Sequence, residues 1–147
     1  MTDSNSSNTV YIAAGARTPM GGLQGSLSEL TAVELGAAAI KEAVKKANLA
    51  GSDIEEIILG CVLPSGLRQG PARQAAMDAG IPVNAGATTI NKLCGSGMKA
   101  TMMAHDLIKA GSNDIMIAGG MESMTNAPYL LPKARGGMRM GHGEIQD

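Results

Sequence analysis

The segment N-K-L-C-G-S-G-M-K-A (91–100) holds the residues whose types and spacing are suited to covalent chemistry. Cys94 stands between a short β-branched stretch that reads as a strand and a stretch that reads as a helix. That order places it at a helix N-terminus, where unpaired N–H groups and the helix dipole favour negative charge. The thiolate is the reactive form of cysteine and attacks activated carbonyls. The same N–H groups, that of Cys94 included, suit an oxyanion formed on such a carbonyl. Gly95 and Gly97 leave the backbone uncovered for a bulky substrate. On residue types alone a second reading stays open: an inert cysteine at a tight strand-to-helix turn, with the glycines there for packing.

Other candidates carry less. Cys61 is read as a small buried hydrophobe. No C-x-x-C or Cys/His cluster has zinc spacing, so no metal site is expected. His105 falls in mid-helix and reads as a surface or packing histidine, and His142 lies in an irregular loop. Glu122 follows Gly119-Gly120 at a strand end, where it either binds a ligand or bridges to a backbone N–H. Arg17 and Arg73 read as partners in structural ion pairs. Met98, Met102, Met103, Met116, Met121 and Met124 read as core filler. The run G-G-L-Q-G lacks the G-K-[ST] ending of a phosphate-binding loop, and no G-x-G-x-x-G follows the first strand.

The elements that must position Cys94 follow from periodicity. Strands are expected over residues 10–14, 54–60, 87–91 and 114–118. Residues 15–30 are glycine-rich and read as a loop. Thr31 and Glu34 fit a capping box opening an amphipathic helix to about residue 47, with Val33, Ile40 and Val44 inward and Lys41 and Lys45 outward. Pro71 suits the first position of a helix ended by Gly80 and Pro82. A third helix is expected over 94–110, closed by Gly111. Strands alternating with helices imply a parallel sheet covered on both faces, an α/β fold. In such sheets ligands bind beyond the carboxyl ends of the strands, where Cys94 lies. After Gly120 no period is visible.

Composition narrows the function classes. A formal net charge of -1 and the absence of Trp and Phe argue against nucleic acid as a partner, since neither a basic footprint nor a stacking platform is present. No apolar stretch is long enough to span a bilayer, so no membrane partner is expected. The first nine residues, M-T-D-S-N-S-S-N-T, are polar, lack the regions of a secretory signal and read as a disordered tail. Two cysteines without a disulfide framework suit a reducing, cytoplasmic location.

The segment 91–100 closely resembles the active-site segment of thiolases, with Cys94 on the acyl-accepting cysteine. Three more segments resemble the family in order: A-G-A-R-T-P-M-G-G (14–22), R-Q-G-P-A-R-Q-A-A-M-D-A-G-I-P (68–82) and G-G-M-E-S-M-T-N-A-P-Y-L-L-P-K-A-R-G-G-M-R-M-G (119–141). The resemblance spans residues 10–147, and the 68–82 segment leans towards the acetoacetyl-CoA type. It implies a thiolase-like N-terminal α/β core over 10–120 and the start of a loop domain over 121–147. The implied activity is acyl transfer: two acetyl-CoA condense to acetoacetyl-CoA, or the reverse thiolysis, through an acetyl group on Cys94. Coenzyme A thioesters are then substrates, no cofactor is implied, and a homodimer or homotetramer is. The alternatives are a 3-ketoacyl-CoA thiolase of broader chain length, a condensing enzyme of the ketoacyl-synthase type, and an inactive fragment serving as a dimerising module. The family's catalytic histidine in a Gly-His-Pro motif and its late Cys-Gly-Gly-Gly motif are not in the sequence. His105 and His142 match neither and inherit no role. The chain therefore reads as truncated before the loop domain and C-terminal half, and inactive alone.

Overall fold

The structure, a computed structural model, describes residues 9–147. The tail expected over residues 1–9 lies, apart from Thr9, outside the described residues. Three strands form one parallel sheet: β1 (Glu56–Gly60), β2 (Gly86–Ile90) and β3 (Met116–Gly120), in the order β2-β1-β3. The register pairs Gly60 with both Ile90 and Gly120, so the three carboxyl ends lie level.

Three helices connect and cover the sheet: α1 (Ala32–Lys46), α2 (Pro71–Asp78) and α3 (Ser96–Lys109). The chain moves from β1 to one neighbour through α2, then across β1 to the other neighbour through α3. Parallel crossovers keep one hand, so this reversal of direction sends α2 and α3 to opposite faces. Burial along β1 agrees. Ile57 and Leu59 belong to the core with Ala32, Val33, Ile40, Ala72, Ala75 and Ala76 of α1 and α2. A side chain built on Gly60, which alternates with Leu59, would run into Ser96 of α3. The expected α/β fold with helices on both faces is what the chain adopts.

Local sequence explains the helix starts. Thr31 caps α1 by accepting from Glu34 N at 3.2 Å, and the Glu34 carboxylate accepts from Thr31 N at 2.8 Å. The Thr31 N–H, and after it the Thr31 hydroxyl donating to the same carboxylate at 2.8 Å, hold the Glu34 carboxyl below its usual value. Pro71 opens α2 after Gly70, whose φ of 58° is left-handed.

Several expectations are corrected. Residues 10–14 pair with no strand among the described residues, and Tyr11 and Ile12 are more than four-fifths exposed. An apolar run makes a strand only where a neighbouring edge meets it. β3 runs two residues further than expected, because Gly119 and Gly120 pair with Leu59 and Gly60 instead of ending the strand. Helix α3 begins at Ser96, with Gly95 as its N-cap, not at Cys94. Of the methionines read as core, Met121 is buried, whereas Met98, Met102 and Met124 are exposed. They lie on helix and loop surfaces that no described element covers. After β3 the chain forms only short 3-10 turns at Met124–Asn126 and Ala134–Gly136 and an isolated bridge from Leu130 to Gln146.

Candidate active site

The level carboxyl ends of the three strands open onto a cleft of about 280 Å³. It is lined by Gly60 and Val62 after β1, Leu93, Cys94, Ser96 and Gly97 between β2 and α3, and Gly120, Met121 and Glu122 after β3. Cys94 is exposed on this cleft and free of any disulfide. It precedes the first turn of α3, whose N-terminal end therefore opens beside it.

The turn that delivers Cys94 is tightly specified. Leu93 has φ of 50°, a left-handed conformation that costs an L-residue about 1–2 kcal/mol. Both of its backbone groups are held by side chains. The Asn91 Oδ1 accepts from Leu93 N at 2.9 Å, and Ser96 Oγ donates to Leu93 O at 2.6 Å. Ser96 Oγ also accepts from Lys92 N at 2.8 Å, and the residue is only 4% exposed. Asn91 reaches further, its Nδ2 donating to Val62 O at 3.2 Å. Val62 N and Leu63 N in turn donate to the Glu122 carboxylate at 2.9 and 3.0 Å. Side chains thus stitch the ends of all three strands together around the cleft.

Cys61 lies on the same rim but faces inward. It is 1% exposed, its N–H extends the ladder to Ile90 O at 3.0 Å, and its thiol points to Glu122 Oε1 at 3.6 Å. Burial, then the Glu122 charge and hydrogen bond, push its pKa up to about 11. The reading of Cys61 as a buried small residue holds. Of the two roles left open for Glu122, the structure gives it the backbone bridge.

Arg17 and Arg73 make carbonyl contacts instead of the expected ion pairs. Arg17 donates to Thr18 O at 2.8 Å. Arg73 clasps Val83 O and Ala85 O and so fixes the approach to β2. An arginine fork facing a turn's carbonyls needs no carboxylate. His105 is exposed and pairs with Asp106 at 3.0 Å, as expected of a surface histidine. His142 lines a separate hollow of about 320 Å³ with Lys133 and Arg139, formed within residues 132–143 and sharing no wall with the Cys94 cleft. Among the described residues, no group of three or more His, Cys, Asp or Glu is placed to hold a metal ion, and no helix is long and apolar enough to cross a membrane.

Sequence reasoning passed over Asn91, Ser96 and Gly60. Two of these had a readable signal, since Asn two residues before a turn and Ser just inside a helix both bond to nearby backbone. Gly60 had none. Its need for a bare Cα arises only when Ser96 arrives from 36 residues downstream.

The profile of the thiolase N-terminal domain matches residues 10–147. Acetyl-CoA acetyltransferase 2 of Arabidopsis thaliana is 52% identical over 138 residues, covering 94% of this chain and 34% of that protein. The cytosolic acetyl-CoA acetyltransferase of Gibberella zeae is 48% identical, covering 94% and 35%. The crystal structure of Acat5 thiolase from Ascaris suum in complex with coenzyme A superposes with a TM-score of 0.89 at 42% identity, covering 93% of this chain and 35% of that one. The chain thus spans about a third of the length of the relatives it matches. A profile match over nearly every described residue, on a fold shared with a solved thiolase, means that this chain belongs to the thiolase family.

Proposed function

We propose that Cys94 is the acyl-accepting nucleophile of an acetyl-CoA C-acetyltransferase, the activity for which the relatives are named. The observation that carries this reading is the exposed Cys94 on the cleft beyond the strand ends, at the mouth of α3, in contrast to the buried Cys61. The Sγ attacks the thioester carbonyl of acetyl-CoA. The oxyanion that forms is met by the Cys94 N–H and the first turn of α3. Collapse breaks the bond to the coenzyme A sulfur, which leaves as the thiol with a proton, and the acetyl group stays on Cys94. A second acetyl-CoA, having lost a proton from its methyl carbon, attacks that thioester carbonyl; the bond to Cys94 Sγ breaks, acetoacetyl-CoA forms, and the proton ends on the freed Cys94 thiol. Thiolysis is the reverse. Glu122, the one carboxylate among the lining residues, is engaged by Val62 and Leu63 N–H, and neither histidine lines the cleft. No base is therefore assigned from this chain.

The finer parts of this reading are a cytoplasmic location, supported by the name of the Gibberella relative, and a role in lipid metabolism. A division near residue 120 into a core and the start of a loop domain also belongs here. Self-association is supported by β2, an edge strand whose outer side pairs with no other described strand. Light scattering over a dilution series tests that last point, and a monomer throughout rejects it.

The nucleophile is tested by incubating the chain with acetyl-CoA, which asks only for the first half-reaction and not for turnover, and mapping adducts by peptide mass. One acetyl group on Cys94, lost in Cys94→Ser, is expected. An acetyl group on Cys61, or none on Cys94, overturns the assignment.

A further inference from the structure

We propose that Asn91 is a positioning residue for Cys94: its carboxamide, spanning Val62 O and Leu93 N, holds Leu93 left-handed and so turns Cys94 onto the cleft. The proposal rests on the reading of Cys94 as the nucleophile.

Leucine has no intrinsic reason to occupy φ of 50°, and a conformation of this kind persists only where its surroundings over-determine it. Here the Leu93 side chain contributes little to that, being 69% exposed. The holding groups are on the backbone side. Asn91 Oδ1 takes the Leu93 N–H, and Ser96 Oγ takes its carbonyl. Ser96 travels with α3 and would follow the loop wherever the helix goes. Asn91 differs, because its other end is fixed to a different strand. Its Nδ2 donates to Val62 O, and the Val62 N–H is anchored on Glu122 beyond β3. Asn91 thus hydrogen-bonds the Leu93 turn to Val62 after β1, and through the Val62 N–H to Glu122 after β3, both of which line the cleft. Lose it, and the turn relaxes towards the ordinary right-handed or extended basins, carrying Cys94 away from the mouth of α3.

The test compares variants of the full chain by two readouts. One is the second-order rate of Cys94 alkylation by iodoacetamide. The other is the intraresidue HN–Hα Overhauser effect at Leu93, which is strong only at positive φ. Cys61 labelling in the same samples reports loss of fold, since a buried thiol reacts only when the core opens. Asn91→Ala is expected to slow Cys94 about tenfold and to abolish the Leu93 signature. Asn91→Ser, which keeps a local acceptor for Leu93 N but cannot reach Val62 O, is expected to fall between parent and Ala. Adding Leu93→Gly to Asn91→Ala is expected to bring the rate back to within about threefold of parent, because glycine reaches positive φ freely. A merely structural role would not be rescued by glycine. A Cys94 rate within about twofold of parent in Asn91→Ala, with the Leu93 signature intact, overturns the proposal. So does a loss that Leu93→Gly does not restore. Should Asn91→Ala lose its fold, Asn91→Ser decides in its place, parent-like values in both readouts being the overturning result. Failure of the acetyl-CoA experiment would remove the nucleophile without altering these ratios, so the two failures are distinguishable.

Discussion

Cys61 and Cys94 leave adjacent parallel strands at the same end of the same sheet, yet they meet opposite environments. Cys61 follows β1 directly and keeps the ladder going, its N–H bonded to Ile90 O. That continuity turns the side chain into the core and against Glu122. Cys94 comes after β2 only by way of Asn91, Lys92 and Leu93, and the left-handed step at Leu93 breaks the ladder geometry. The thiol emerges on the cleft instead. A strand end in an α/β sheet is therefore a permissive place for a nucleophile, not a sufficient one. What separates the two cysteines is three residues of turn and the side chains that hold them.

The largest expected consequence is in reactivity. With its thiol pushed up to about 11, against an ordinary value of 9.0, Cys61 has about 100-fold less thiolate near pH 7 than a free cysteine, before burial slows access further. Iodoacetamide at neutral pH is expected to alkylate Cys94 at least about 100-fold faster than Cys61. Comparable rates at the two positions, by peptide mapping over time, would erase the contrast.

A pair of glycine substitutions sharpens the same contrast through packing. A Cβ on Gly60 would lie 2.4 Å from Ser96 Cβ and 2.9 Å from Ser96 C, so the start of α3 would have to move. Gly60→Ala is expected to destabilise the chain by about 3 kcal/mol, the upper end of ordinary overpacking, and to slow Cys94 with it. A Cβ on Gly97 would meet Gly119 C at 3.7 Å, an ordinary contact. Gly97→Ala, within a helix, is expected to be neutral or to stabilise by up to about 1 kcal/mol. Urea midpoints check both. Equal losses at the two positions would mean that α3 does not lie against β1 as described.

These contrasts mark what the sequence could and could not disclose. The capping box at Thr31 and Glu34, the helix opened by Pro71 and the β-α alternation are local patterns, and all three appear where the pattern put them. The strand over residues 10–14 failed because pairing is not local. Gly119-Gly120 was misread as a stop because glycine in a strand and glycine after one look alike without the partner, here Gly60 and the nearby Gly97. The cleft-side position of Cys94 was legible in the strand-to-helix order around it, and the role proposed for it rests on its family-like segment. The machinery around it, namely Asn91 to Val62 to Glu122, joins positions 29 and 60 residues apart and has no sequence signature.

The smallest effect concerns Glu122, which serves both cysteines' surroundings at once. In Glu122→Gln one oxygen still accepts a backbone N–H, but the new NH2 faces the other donor. Leu63 is exposed enough for water to take its N–H, so the loss is expected near the low end for an unmade bond, about 1 kcal/mol. The pH dependence carries more information than the size. In the folded chain Cys61 retains its proton to about 11, whereas the unfolded thiol releases it from 9.0 upward. The unfolded state thus binds fewer protons in that window, and stability falls as pH rises through it. Below about pH 9 the contribution is fully present. Removing the Glu122 charge takes away the second of the causes that raise Cys61 and leaves burial, the first. The alkaline loss of stability is then expected to remain in Glu122→Gln but over a narrower window, and to disappear in Cys61→Ala. Urea midpoints at about pH 8 and about pH 10.5 measure the difference. A Glu122→Gln chain with an alkaline loss as large as the parent's would show that burial alone sets the Cys61 proton, and that Glu122 serves only the Val62 and Leu63 N–H groups.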